Sequence, residues 1–199
     1  AMKYGVAPDG RHYYPAFPYP SYARMTVADI LDLWAYLRQL PPVENEVAAH
    51  RLDWPWKFRR GIGLWKRLYL DAAPAVEIDA RNAALVRGRY LVEGPGHCGA
   101  CHTPRDGLGG PDRSRWLAGA PQLDGEGRVP GLQPRADGLG AWSEADLRYY
   151  FKTGFTPDFD TVGGSMVAVQ ENLARLPDAD RAAIVAYLKA LPVTPDAGE

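Results

Sequence analysis

Cysteine is nearly absent from this chain: there are two in 199 residues, Cys98 and Cys101, and four histidines. A structural zinc site draws four ligands, usually from two separated pairs, and no second pair exists here. Charge of one sign is also missing. The formal net charge is -1, so no global basic field invites nucleic acid. No apolar run approaches the roughly 18 to 20 residues that span a bilayer. The opening "AMKYGVAPDG" lacks the apolar core of a signal peptide, and Ala1 before Met2 reads as a cloning remnant, so a mature form or a fragment is expected. What is plentiful is glycine (21) and proline (18), which marks much of the chain as loop. With 46% apolar and 24% charged residues, the chain reads as folded, with one domain or two small ones.

The two cysteines sit in "GPGHCGACHTPRDG", with His102 directly after Cys101. Three chemistries compete for C-x-x-C-H. Zinc needs more ligands than His12, His50 and His97 supply as a second knuckle. A thioredoxin-like redox pair needs a strand before it and a helix after it. The flanks are the reverse: "NAALVRGRYLV" reads as a helix, and a Pro/Gly-rich loop follows. Covalent haem attachment is the third, and C-x-x-C-H is its signature. Thiols at i and i+3 on one turn each reach a vinyl group on one edge of a porphyrin, and the adjacent histidine presents an imidazole to the iron.

Around this motif the chain resembles a class I cytochrome c domain. The resemblance implies an all-α fold, with an N-terminal helix over 82–93 and then the attachment site. Gly109-Gly110-Pro111 matches the family's Gly-Pro element, whose carbonyl takes the N–H of the ligand histidine, so Pro111 is expected beside His102. Ser143 to Asp146 has the form of a capping box and opens a helix ending near Gly154. A loop holding "GGSMVAVQ" follows, and "DADRAAIVAYLKALP" is the last helix. The family's sixth ligand is a methionine before that helix, which implies Met166 as the partner of His102. Core packing is the competing reading of Met166. Arg115, Trp116 and Trp142 are candidates to hold haem propionates, or else simply packed. His97 is expected at the rim, facing away from iron, and His50 in solvent.

The final helix has a relative near the start. "RMTVADILDLWAYLRQLPPV", from Arg24, matches "RLPDADRAAIVAYLKALPVT", from Arg175, at an offset of 151. "KYGVAPD", from Lys3, matches "KTGFTPD", from Lys152, at an offset of 149. Leu33, Trp34, Leu37 and Leu40 fall on Ile184, Val185, Leu188 and Leu191 as one helix face. Residues 1–43 thus read as the closing part of a second cytochrome c-like domain, 44–74 as a linker and 75–199 as the complete domain. In the complete copy Cys98 lies 54 positions before Lys152, so a matching cysteine falls ahead of residue 1. The resemblance then narrows to dihaem c-type cytochrome subunits that accept electrons from periplasmic dehydrogenases. His12 and Met25 are the candidates for a vestigial ligand of the missing haem. A tyrosine-rich loop packed on its own helix is the alternative.

The linker carries Arg51, Lys57, Arg59, Arg60, Lys66 and Arg67 against Asp53, with Trp54, Trp56 and Trp65. Such a stretch can brace two domains, meet a protein partner or lie on a membrane. The expectation is one covalent haem c with its iron per chain. It would serve one-electron transfer in the periplasm, with no bond-making chemistry on a substrate. A dehydrogenase is the expected donor, and another cytochrome or an oxidase the acceptor. Membrane association is allowed but not required. The alternative is a five-coordinate haem enzyme or gas sensor, which requires that Met166 does not bind.

Overall fold

The computed structural model describes residues 1–54, 56–122 and 127–194. The chain separates into two compact units, Ala1–Ala73 and Pro74 onward. The helices are α1 (Tyr19–Tyr22), α2 (Val27–Leu37), α3 (Gly61–Tyr69), α4 (Ala83–Glu93), α5 (Gly99–His102), α6 (Glu144–Thr153), α7 (Met166–Leu173) and α8 (Asp178–Lys189). A 3-10 turn spans Arg113–Arg115, and β1 (Ala120–Pro121) pairs antiparallel with β2 (Arg128–Val129). None of the described helices is long and apolar enough to cross a membrane.

The second unit is built on α4 crossing α8. Asn82 caps α4 by accepting from the backbone N–H groups of Ala84 and Leu85. The crossing is close because Gly88 faces α8. A methyl group there would lie 1.9 Å from the Ala183 carbonyl oxygen. Arg87 donates to Asp180 through two bonds of 2.8 and 2.9 Å, which ties the helices at the rim. In the core, the Tyr187 hydroxyl donates to Glu93 Oε1 at 2.6 Å, and the Ala75 N–H donates to Oε2 at 2.8 Å. This satisfies a carboxylate that burial would otherwise penalise. Burial first, and then the Glu93 charge, hold the Tyr187 hydroxyl well above its usual value. Leu91, Val92, Leu147, Phe151, Val185 and Leu188 fill the space between.

The capping box of α6 forms as its sequence implies, with both the Ser143 and Asp146 halves present. Gly154 closes the helix at φ 82. The "GGSMVAVQ" stretch differs from expectation. It is not loop throughout: Gly164, at φ 58, turns the chain directly into α7, whose first residue is Met166. Buried Gln170 on α7 donates to the Phe151 carbonyl. The two glycines are therefore the entry to a helix and not the middle of a loop.

The first unit repeats the closing part of the second in three dimensions. Val6 bridges to His12 as Phe155 bridges to Thr161, each 149 positions further on. Lys3 Nζ donates to the Ala23 carbonyl as Lys152 Nζ donates to that of Ala174. The corner residue of these turns has a left-handed backbone in both, Gly10 at φ 83 and Phe159 at φ 63. Thr26 caps α2 by accepting from the Asp29 N–H. Its counterpart α8 buries six residues and α2 buries none. Val27, Leu31, Trp34, Tyr36 and Leu37 stand exposed along it. Tyr19, Ala23, Met25 and Ile62 make a small core, closed by α3.

Candidate functional site

The cysteine turn is hung from the end of α4. The N–H groups of Gly96 and Cys98 donate to the carbonyls of Leu91 and Val92 at 2.8 and 3.1 Å. His97 between them is held at φ 40, an uncommon conformation for a residue with a side chain. Its side chain is half-buried. α5 then runs one turn, with the His102 N–H bonded to the Cys98 carbonyl. The two cysteines are not bridged to each other, and Cys98 is half-buried while Cys101 is exposed. Burial pushes the Cys98 thiol up to about 11, with the neighbouring Cys101 adding to the rise. Among the described residues no group of three His, Cys, Asp or Glu is placed to share a metal.

His102 is 8% exposed, and its Nδ1 lies 2.7 Å from the Pro130 carbonyl oxygen. Burial lowers its pKa, with the carbonyl opposing. With Nδ1–H donating to that carbonyl, Nε2 carries the lone pair. This is the tautomer that a metal needs. The partner carbonyl is a correction to the Pro111 expectation. Loop 104–112 closes on itself: the Asp106 N–H donates to Gly110, and the Asp112 N–H to Pro104. Pro111 pairs with Arg105 in that closure. Pro130 instead leaves the β1–β2 ribbon directly over the imidazole. Val129-Pro130-Gly131 carries the same local Pro/Gly signal as Gly109-Gly110-Pro111.

Two further features shape the turn. Arg105 clamps it, donating to the carbonyls of Ala100 (3.0 Å) and Gly109 (2.8 Å). Trp116 is laid against Gly99 so tightly that a methyl group there would stand 2.1 Å from its ring. Trp116 Nε1 is buried and has no hydrogen-bond partner among the described residues. The two unbridged cysteines on one turn, the lone pair on Nε2, the glycine cradle and the buried indole N–H together fit a haem c.

The other predicted residues are placed as follows. Arg115 Nε donates to Asp112 Oδ2 at 2.7 Å. Ser114, and then Arg115, hold the Asp112 carboxyl below its usual range. Trp142 is half-buried and meets Tyr150 edge-on at 5.4 Å. Met166 is half-buried at the first position of α7. His12 lies under Gly63 of α3, where a methyl group would come 2.9 Å from its Nε2, and its buried Nδ1 has no partner among the described residues. Met25 is 5% exposed in the first unit's core. His50 meets Tyr14 edge-on at 5.4 Å.

Comparison with known proteins agrees with this geometry. The family profile described as cytochrome c matches residues 85–192. A "Diheme cytochrome c-type" protein of Cereibacter sphaeroides is 48% identical over 193 residues, covering 96% of this chain and 64% of that protein. A "Fructose dehydrogenase cytochrome subunit" of Gluconobacter japonicus is 38% identical over 202 residues, covering 100% of this chain and 41% of that protein. An "Alcohol dehydrogenase (quinone), cytochrome c subunit" of Gluconobacter oxydans is 34% identical over 205 residues, covering 98% of this chain and 43% of that protein. The chain spans less than two thirds of the length of each.

Proposed function

Because the chain belongs to the cytochrome c family, we propose that it is a one-electron carrier, with Cys98 and Cys101 as the thioether residues of one haem c. His102 and Met166 are the residues that would hold its iron. Bound haem c supplies a one-electron iron couple, and the chain's residues tune and shield it. The observation that carries the reading is the His102 imidazole, buried and bonded through Nδ1 to Pro130. That bond fixes the ring's tautomer and rotation and raises the basicity of Nε2. Trp116 covers the turn and limits water. Arg105 stiffens the backbone between the two cysteines.

The relatives named as dehydrogenase cytochrome subunits support a dehydrogenase as donor, and with it a periplasmic site of action. The acceptor is another cytochrome or an oxidase. The same likeness favours a carrier over a five-coordinate haem enzyme or sensor. The bare face of α2, whose counterpart α8 is covered by α4, supports reading the first unit as part of a second cytochrome c-like domain. The relative named as dihaem supports it too.

The test is a haem count and visible spectrum of residues 1–199 matured with haem-attachment machinery. One haem per chain and sharp c-type bands on reduction are expected. A reduced spectrum without those bands would end the carrier reading, and two haems per chain would end the assignment of a single site.

A further inference from the structure

Residues 51–69 carry six cations, Arg51, Lys57, Arg59, Arg60, Lys66 and Arg67, against the single acid Asp53. The fold divides these cations into two sets. Lys66 turns inward, with Nζ donating to the carbonyls of Tyr4 (2.7 Å) and Gly5 (3.2 Å) and standing 5.6 Å from the centre of the Tyr19 ring. Arg59 donates to the His12 carbonyl at 2.9 Å, and its guanidinium lies 4.6 Å over the Tyr14 ring. The Tyr14 hydroxyl in turn donates to the Trp56 carbonyl. With Ile62 buried as well, the segment is anchored on one side, which decides what the other side presents.

Along the same segment, exposed apolar bulk and charge stand together. Trp54 is 85% exposed, and Phe58, Leu64 and Leu68 are each exposed by more than 60%. Leu64 and Leu68 are one helical turn apart, and Arg60 lies one turn before Leu64, so all three share a face of the α3 segment. Arg67 flanks them. Among the described residues none of the heads of Arg51, Lys57, Arg60 and Arg67 meets a carboxylate. An amphipathic helix with this division lies in the interfacial plane of a bilayer. Its large apolar side chains sit among the headgroups and upper acyl chains, and its cations stand at phosphate level. We propose that the outward face of residues 51–69 docks on an anionic lipid surface. The apolar anchors are Trp54, Phe58, Leu64 and Leu68, and the phosphate contacts are Arg51, Lys57, Arg60 and Arg67. Charge complementarity selects the occupant: four cations without a facing acid match a continuous sheet of phosphates. An acidic protein would have to supply both counter-charges and an apolar groove shaped to a convex helix. The proposal is independent of the redox reading, since it concerns a surface that holds none of the haem residues.

The experiment is co-sedimentation of the haem-loaded chain with vesicles of phosphatidylglycerol and phosphatidylcholine in equal parts, and with vesicles of phosphatidylcholine alone. Partition onto the anionic vesicles is expected, weakening as salt rises, with little onto the neutral ones. The double variant R60Q/R67Q lowers that partition roughly thirty-fold, from about five-fold per removed cation. The double variant L64S/L68S lowers it by about tenfold or more at unchanged charge. All these side chains are exposed, and both variants keep the parent's far-ultraviolet circular dichroism and melting curve as well as its reduced visible spectrum, which shows the first unit folded and the haem unit intact. Equal partition onto neutral vesicles overturns the proposal. So does absence of partition onto anionic ones, including a case where the patch binds only an acidic protein. An L64S/L68S variant that partitions like the parent overturns it too, since the binding would then be charge adsorption without insertion.

Discussion

Nδ1 of His102 and the carbonyl oxygen of Pro130 stand 2.7 Å apart across 28 residues of sequence. The bond is made by a backbone atom, so its strength depends on how firmly loop 128–132 is held. Pro130→Ala keeps the carbonyl and loosens the loop. It should weaken the bond, make Nε2 less basic and raise the reduction potential. Pro111→Ala, which touches only the closed loop 104–112, should leave the potential near that of the parent. Film voltammetry on the two variants decides, and the reverse ordering would return the role to Pro111.

Met166→Ala removes the thioether assigned to the second axial position. The reduced variant should then bind carbon monoxide rapidly where the parent does not, with a changed oxidised spectrum. An unaltered oxidised spectrum would remove Met166 from the iron.

Gly99 and Trp116 occupy one space. Gly99→Ala places a methyl group 2.1 Å from the indole, so the ring must leave the turn. Overpacking of this kind costs about 1–3 kcal/mol. The variant should lose thermal stability and carry less haem per chain, and Gly99→Ala with Trp116→Leu should recover much of both. Pyridine haemochrome assays and melting curves measure this.

Gly88→Ala is the corresponding experiment at the helix crossing. Alanine gains about 1 kcal/mol in helix propensity, but the methyl group would lie 1.9 Å from a carbonyl that cannot yield without moving α8. Net destabilisation is expected in urea titration, larger for Gly88→Val. A stabilised Gly88→Ala variant would contradict the close crossing.

Arg87 holds the Asp180 carboxyl below its ordinary value of 3.8, chiefly through their hydrogen bonds. A carboxyl lowered by folding contributes stability above its unfolded value and loses it as pH falls through the folded one. Arg87 is nearly half exposed, so the pair is worth only about 0.5 kcal/mol. Arg87→Gln should cost about that at pH 7, and the difference from the parent should vanish as pH drops below 3.8. A gap that persists at low pH would assign the loss to packing over Tyr90 instead.

The cysteine turn, the capping box at Ser143 and the matching of α2 to α8 were legible because each is a short-range pattern. Covalent attachment and capping geometry demand fixed local spacings. Pro130 was not legible. Two Pro/Gly elements followed the motif, and which one meets His102 depends on the β1–β2 ribbon, a pairing too short to show in sequence. The α7 helix was hidden by Gly163 and Gly164, whose freedom serves an abrupt entry as readily as a long loop. The Glu93–Tyr187 pair had no local signal either, since 94 residues separate its members and only the α4–α8 crossing joins them.

The uncovered face of α2 bears on how the chain behaves in a test tube. Four large apolar side chains in water, Val27, Leu31, Trp34 and Leu37, share one face of this eleven-residue helix and form a sticky strip. Two chains that meet along it remove that strip from water, so self-association competes with any natural cover and grows with protein concentration. Melting temperatures and sedimentation coefficients of residues 1–199 should drift with concentration, and a Leu31→Glu/Leu37→Glu variant should make both constant. The second unit, with α8 already sheathed, supplies the internal standard: cut free at Pro74, it should show no such drift.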